Sequence, residues 1–137
     1  MALQATLQIE KNSYDVLDMD YELSKPYDNN YKPSAFPMGG IINFSILSPL
    51  DKSTIFQEWV LSPAYITEGT FFLPVTMGIE HTAKTLKFQN AHCIRLHESY
   101  SSFSGSQMQM RITISAAILI FNDALKFDNI QRTVEKI

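Results

Sequence analysis

The chain carries one cysteine and few charges over its 137 residues, and each scarcity narrows what it can be. With Cys93 alone no internal disulfide can form, and its simplest role is that of a small buried hydrophobe. Charged residues make up only 18%, so much of the surface must be uncharged polar or must meet other protein. Eleven basic against fourteen acidic residues give a net charge of −3, with the basic ones scattered. Phosphate neutralisation needs clustered Lys and Arg, which argues against nucleic acid as a partner and equally against an anionic membrane surface. No apolar run approaches the ~18 residues of a spanning helix, and the longest, Ala116–Phe121, is strand-sized. The first residues, MALQATLQIE, lack the basic head and long apolar stretch of a secretory signal. The expectation is synthesis in the cytosol, with any export left to a dedicated machine.

What is present is 45% hydrophobic and 12% aromatic residues, an ordered composition in a chain long enough for one domain with a real core. Its hydrophobic period is mostly two, which means strands. Leu3, Ala5, Leu7 and Ile9 alternate with Gln4, Thr6 and Gln8, and Glu10-Lys11-Asn12-Ser13 is a hairpin-type turn. In Tyr14–Leu23, Leu17, Met19, Tyr21 and Leu23 are expected on one face and Asp18, Asp20 and Glu22 on the other, with Val16-Leu17 marking a bulge. Ile42, Phe44 and Ile46 line a third strand that Ser48-Pro49-Leu50-Asp51 ends. Asp51 is offered as the N-cap of one helix over about 52–61, where Ile55, Phe56, Trp59 and Val60 share a face before Ser62-Pro63.

Thr67–Leu73 reads as a strand closed by Pro74, and Val75–Thr82 as a loop. Lys84–Leu96 reads as one long strand or a pair, with a phase shift at Gln89-Asn90 after which Ile94 and Leu96 resume the alternation. A flexible loop at Ser101–Ser106 precedes the clearest strand, with Met108, Met110, Ile112 and Ile114 on one side and Gln107, Gln109, Arg111, Thr113 and Ser115 on the other, continuing toward Ile118 and Ile120. The segment 123–137 is a tail in which Phe127, Ile130, Val134 and Ile137 fit a helix face. The fold class is therefore mainly β: a small antiparallel β-barrel over 1–122 with one α-helix packed against it, since closure removes exposed edges.

Two features point outward. An extended loop over 24–38 holds Tyr27, Asp28, Asn29, Asn30, Tyr31, Lys32, Pro33 and Phe36 and runs into Gly39-Gly40. Long loops in small domains are functional or disordered, and its three aromatics favour an arm that docks on something. The second feature is the uncharged character of Gln107, Gln109, Thr113 and Ser115, and of Gln4, Thr6 and Gln8, which suits a wet interface or a lumen as well as an ordinary solvent face. Met19, Met108 and Met110 are expected to fill gaps in the core.

Catalytic chemistry finds no foothold. His92 and His97 are five apart, which on a regular strand sends them to opposite faces. The string Asp18, Asp20, Glu22 lacks the glycine of a calcium loop, with Leu23 in its place. Gly39-Gly40 precedes a strand and not a helix, so it offers no anion site and serves instead a bend or a close backbone approach. The expectation is no enzyme, no cofactor and no metal.

Several segments recur in a telling order: Tyr14-Asp15-Val16-Leu17 with Asp20-Tyr21; Asp28…Lys32-Pro33-Ser34 before Gly39-Gly40; Leu86-Lys87-Phe88-Gln89-Asn90-Ala91; and Ile112-Thr113-Ile114-Ser115-Ala116. Over roughly 2–122 their order and spacing resemble the haemolysin-coregulated-protein (Hcp, TssD) family, the tube protein of type VI secretion, in its Bacteroidetes-type branch. That branch tends to carry a glycine before the Lys/Arg-Pro of the loop, where this chain has Tyr31, and its tail is shorter and less apolar. The resemblance implies hexameric rings stacked into a hollow tube, with sheath, spike and baseplate proteins as partners and effector proteins in the lumen. It implies assembly in the cytoplasm followed by secretion through the apparatus. It assigns ring stacking to the extended loop and makes the Gln107, Gln109, Arg111, Thr113 face a lumen or subunit seam. Two other readings stay open: the tube of a related phage-tail-like particle, and a monomeric β-barrel that binds a small apolar ligand.

Overall fold

The computed structural model describes residues 4–33, 35–63, 67–105 and 107–137. Leu3, Ser34 and Ser106, assigned from sequence to the first strand, the long loop and the 101–106 loop, lie outside the described residues. Among the described residues the strands are β1 (Thr6–Ile9), β2 (Asn12–Tyr21), β3 (Ile41–Leu47), β4 (Thr67–Met77), β5 (Glu80–Ser101), β6 (Gln107–Phe121), β7 (Leu125–Asp128) and β8 (Thr133–Lys136), with one α-helix, α1 (Ile55–Leu61). All pairings are antiparallel and run β3-β2-β1-β4-β5-β6-β7-β8. A further pairing of β3 with β6 closes the first six into a barrel, as the alternating sequence requires of strands with one apolar face.

β6 is the staff of the molecule. β5 occupies one of its edges throughout; on the other, β3 covers Gln109–Ser115 and β7 takes over at Ile118. The core is made by the inward residues of these strands, among them Leu7, Ile9, Ile42, Phe44, Ile46, Phe71, Leu86, Phe88, Ile112 and Ile114. Met110 is buried with them, whereas Met108 is exposed and Met19 only half-buried at the core's margin, so of the three methionines one fills the interior. Cys93 is buried, and burial pushes its thiol above the ordinary value.

The expected bulge in β2 is present: the register against β3 shifts between Val16 and Asp18. Its consequence is that Val16 faces the core while Leu17 turns outward, so Leu17 does not share the apolar face. A comparable irregularity in β5, between Cys93 and Arg95, leaves Ile94 exposed and carries the buried positions on Ala91 and Cys93 instead. The extra residue also puts His92 and His97 on the same outer face, opposite Ser115 and Arg111, contrary to simple parity.

Helix α1 starts later than expected. Asp51 does not cap it; its Oδ1 accepts the Ser53 N–H at 3.0 Å in a local turn, and Thr54 takes the cap position without a side-chain bond. The helix is held by its aromatics. Trp59 donates Nε1–H to the Ala91 carbonyl at 3.0 Å and stacks on Phe88, and Phe56 meets Tyr14 edge-on at 5.0 Å.

Two segments depart from the sequence reading. Pro74 does not end β4, and Val75–Thr82 is a two-residue hairpin rather than a loop, with Met77 opposite Glu80 and Gly78 at φ +62°. Gly78-Ile79 with glycine first is the chemistry of a type II′ turn, so the signal was in the sequence. Lys84–Leu96 belongs to one long strand, β5. The tail is not a helix: β7 and β8 form a hairpin that extends the sheet along β6, burying Phe127 and Asp128.

Candidate assembly surfaces

The extended loop is an irregular hairpin with bonds of its own. Ser24 and Met38 exchange backbone hydrogen bonds at 3.0 and 2.7 Å, and Tyr27 bridges Pro33. At the tip Asp28 Oδ1 accepts N–H groups from Asn30 and Lys32 at 2.9 and 3.0 Å, while the Asp28 N–H donates to the Lys32 carbonyl at 2.8 Å. Those bonds present Tyr27 and Tyr31 together, rings stacked 5.9 Å apart and largely exposed at 68% and 84%.

Tyr31 sits at φ +62°, in the left-handed region that glycine occupies freely and a bulky residue does not. This position needs a positive φ, and the chain meets the need with a strained tyrosine. Strain of this kind gathers at sites of function. Phe36 behaves differently from its neighbours. It is half-buried, stacked on Phe127 at 5.5 Å, and serves the base of the loop rather than its reach.

The Gln107, Gln109, Arg111, Thr113 face lies on the outside of a four-strand wall, β2-β3-β6-β5. One row across it is Asp20, Asn43, Thr113 and Arg95, tied by Thr113 Oγ1–H to Asn43 Oδ1 at 2.7 Å and Asn43 Nδ2–H to Asp20 Oδ1 at 3.1 Å. The next row is Asp18, Ser45, Arg111 and His97. The wall therefore mixes charges of both signs with its amides and hydroxyls, where the sequence alone showed mainly uncharged groups. Gln4 and the strand that carries Thr6 and Gln8 are not part of this wall, because β1 stands across the barrel from β6. Among the described residues the wall's end strands, β2 past Val16 and β5 past Ala91, have no further strand partner on their outer edges.

The two ends of the barrel differ. At the end where β2 passes into β3 stand the extended loop and the β4–β5 hairpin, whose tip exposes Met77 and Ile79 at 82% and 94%. At the opposite end, after β3 and β5, Leu50 and Phe103 are fully exposed, and Leu50 lines a groove of about 830 Å³ with Tyr14, Leu47, Pro49 and Met108. Among the described residues no three His, Cys, Asp or Glu side chains lie close enough to hold a metal, and no helix is long and apolar enough to cross a membrane.

A closed barrel with distinct ends, an exposed aromatic loop and a wall with two open strand edges suits a protein that repeats against copies of itself. Residues 1–130 match the profile of the haemolysin coregulated protein Hcp (TssD), and the chain belongs to that family. It is a tube subunit of a type VI secretion apparatus, and hexameric rings and effector delivery fit that family. Solved structures share its fold. Hcp1 from Flavobacterium johnsoniae is 23% identical with a TM-score of 0.74, covering 93% of this chain and all of its own. Hcp1 from Salmonella typhimurium is 10% identical with a TM-score of 0.69, covering 98% and 100%. A type VI secretion system effector from Yersinia pestis is 13% identical with a TM-score of 0.61, covering 97% and 99%. No curated protein matches the chain.

Proposed function

We propose that the extended loop is the stacking element of the tube, with Tyr27 and Tyr31 as its anchors and Asp28, Asn29, Asn30, Lys32 and Pro33 as the tip that presents them. The observation that carries this reading is the division of exposed apolar groups between the ends of the barrel. The loop and the β4–β5 hairpin stand at one end, and Phe103, Leu50 and the groove that Leu50 lines stand at the other. Copies placed head to tail along the barrel axis bring the two sets together, and aromatic anchors seated in apolar grooves are what stable interfaces use.

Within a ring, the outer edge of β5 in one copy is suited to the outer edge of β2 in the next, a heterologous contact that closes. The wall β2-β3-β6-β5 then becomes a continuous surface, and its outer face, with Gln107, Gln109, Arg111 and Thr113, lines the lumen. A lumen of amides, hydroxyls and mixed charge suits effector proteins that must pass without being gripped. The outside of the tube meets sheath, and its end meets spike and baseplate. The chain acts as a structural protein and not an enzyme, with neither nucleic acid nor membrane as a direct partner. It assembles in the cytoplasm before it is secreted through the apparatus.

Replacing Tyr27–Pro33 with a short Asn-Gly turn is expected to leave six-membered rings and abolish their stacking, read by light scattering and negative-stain images of the same peak. Phe36 is kept because it belongs to the base. Stacked rings surviving in that variant would sink the assignment of the loop.

A further inference from the structure

We infer that the C-terminal hairpin β7–β8 is a brace that sets the direction of the extended loop, with Asn129 and Arg132 as positioning residues. Three contacts join the two. Asn129 Nδ2–H donates to the Gly39 carbonyl at 3.0 Å, and more weakly to the Ala116 carbonyl at 3.5 Å, while the Asn129 backbone N–H donates to the Ala117 carbonyl at 2.8 Å. The side chain thus ties the end of the loop to the point on β6 where β3 leaves its edge and β7 takes over. Phe127, buried in the core, stacks on Phe36 with the rings 14° from parallel. The Arg132 guanidinium lies 5.5 Å from the centre of the same Phe36 ring, in cation–π range.

The turn of the hairpin is itself fixed. Asp128 is buried, and its Oδ1 accepts the N–H groups of Ile130 and Gln131 at 2.8 and 3.0 Å, which places Asn129 and Arg132 on either side of a locked bend. At the junction itself there is no slack. Gly40 has φ +109°, and a Cβ on it would meet the Ala116 carbonyl oxygen at 2.4 Å and Asn129 Nδ2 at 3.0 Å. The loop contributes one aromatic to its own base, and the tail supplies the ring and the cation that hold it. This gives the tail a task in tube assembly that does not require it to touch another subunit.

The inference rests on the reading of the loop as the stacking element, and the test separates the two. Asn129→Ala, Arg132→Ala and Arg132→Lys are compared with wild type and with the Tyr27–Pro33 replacement in the full chain. Amide exchange is followed at Ser24, Asp28 and Met38, against Ile112 in β6 as an internal control, and ring size and stacking are read by light scattering and negative stain. The expected result for the two alanine variants is exchange about tenfold faster at the loop amides, unchanged exchange at Ile112, intact rings and shortened stacks, with Arg132→Lys restoring most of the stacking. If the alanine variants exchange and stack like wild type while the loop replacement fails to stack, the brace is overturned and the loop reading stands. If the loop replacement itself stacks, the stacking role falls; faster loop exchange in Asn129→Ala would then still establish the brace, and unchanged exchange would remove it.

Discussion

At the scale of single residues, Trp59 and Tyr31 carry opposite kinds of information. Trp59 is buried on every side: its indole N–H is satisfied by Ala91, its ring stacks on Phe88 at 6.2 Å, and Phe56 lies beside it at 6.3 Å. Trp59→Ala is expected to cost about 3–5 kcal/mol in denaturant unfolding, the size of an unfilled aromatic cavity. A loss below about 1 kcal/mol would mean that α1 is not docked. Tyr31 stores cost instead of providing stability. A non-glycine residue at φ +62° is held there at about 1–2 kcal/mol. Tyr31→Gly is therefore expected to leave the melting temperature unchanged or raised while weakening ring stacking, measured on the same preparations. If it stacked as well as wild type, the strained tyrosine would have no part in docking.

At the scale of elements, the sequence was legible wherever one apolar face alternated cleanly. β1, β3 and β6 follow from Leu7 and Ile9, from Ile42, Phe44 and Ile46, and from Met110, Ile112 and Ile114, all of them buried. The bulge at Val16-Leu17 could be read as well, because two adjacent apolar residues cannot both face inward. Legibility failed where a tertiary partner overrode the local pattern. Phe127, Ile130, Val134 and Ile137 have helical spacing, yet the free edge of β6 beyond Ser115 offers a ladder to any strand that can reach it, and β7 takes it. Pro74 stands inside β4 because among the described residues that stretch has left β1 behind and pairs with β5 alone. The loop could be located from Tyr27, Pro33 and Phe36, but not the division of labour within it. Nothing local says that Phe36 turns to Phe127, ninety-one positions away in the chain, while Tyr27 and Tyr31 face out. Such a contact is set by the barrel, and it anchors the base of the loop.

At the scale of the whole molecule, the balance of forces in the assembly can be read from what the surface offers. Among the described residues one salt bridge forms, Lys87 with Asp123 at 3.9 Å; it is solvent-exposed on both sides, and such pairs add little to stability. The groups placed at the ends and edges are instead apolar side chains and backbone hydrogen-bonding groups: Tyr27, Tyr31, Met77 and Ile79 at one end, Leu50 and Phe103 at the other, and the outer edges of β2 and β5. Salt screens charges but not buried apolar area, and the Debye length shrinks from about 10 Å at about 0.1 M to about 3 Å at about 1 M. Rings held by edge pairing and apolar contact should therefore persist across that range, with a mass near six times 15.6 kDa. Stacking should hold or strengthen, since a net charge of −3 per copy makes neighbouring rings repel each other at low salt. Light scattering across a salt series checks both. Rings that fell apart as salt rose would show that the Asp18, Asp20, Arg95 and Arg111 charges of the wall hold the subunits together, and would move the seam from the strand edges onto that face.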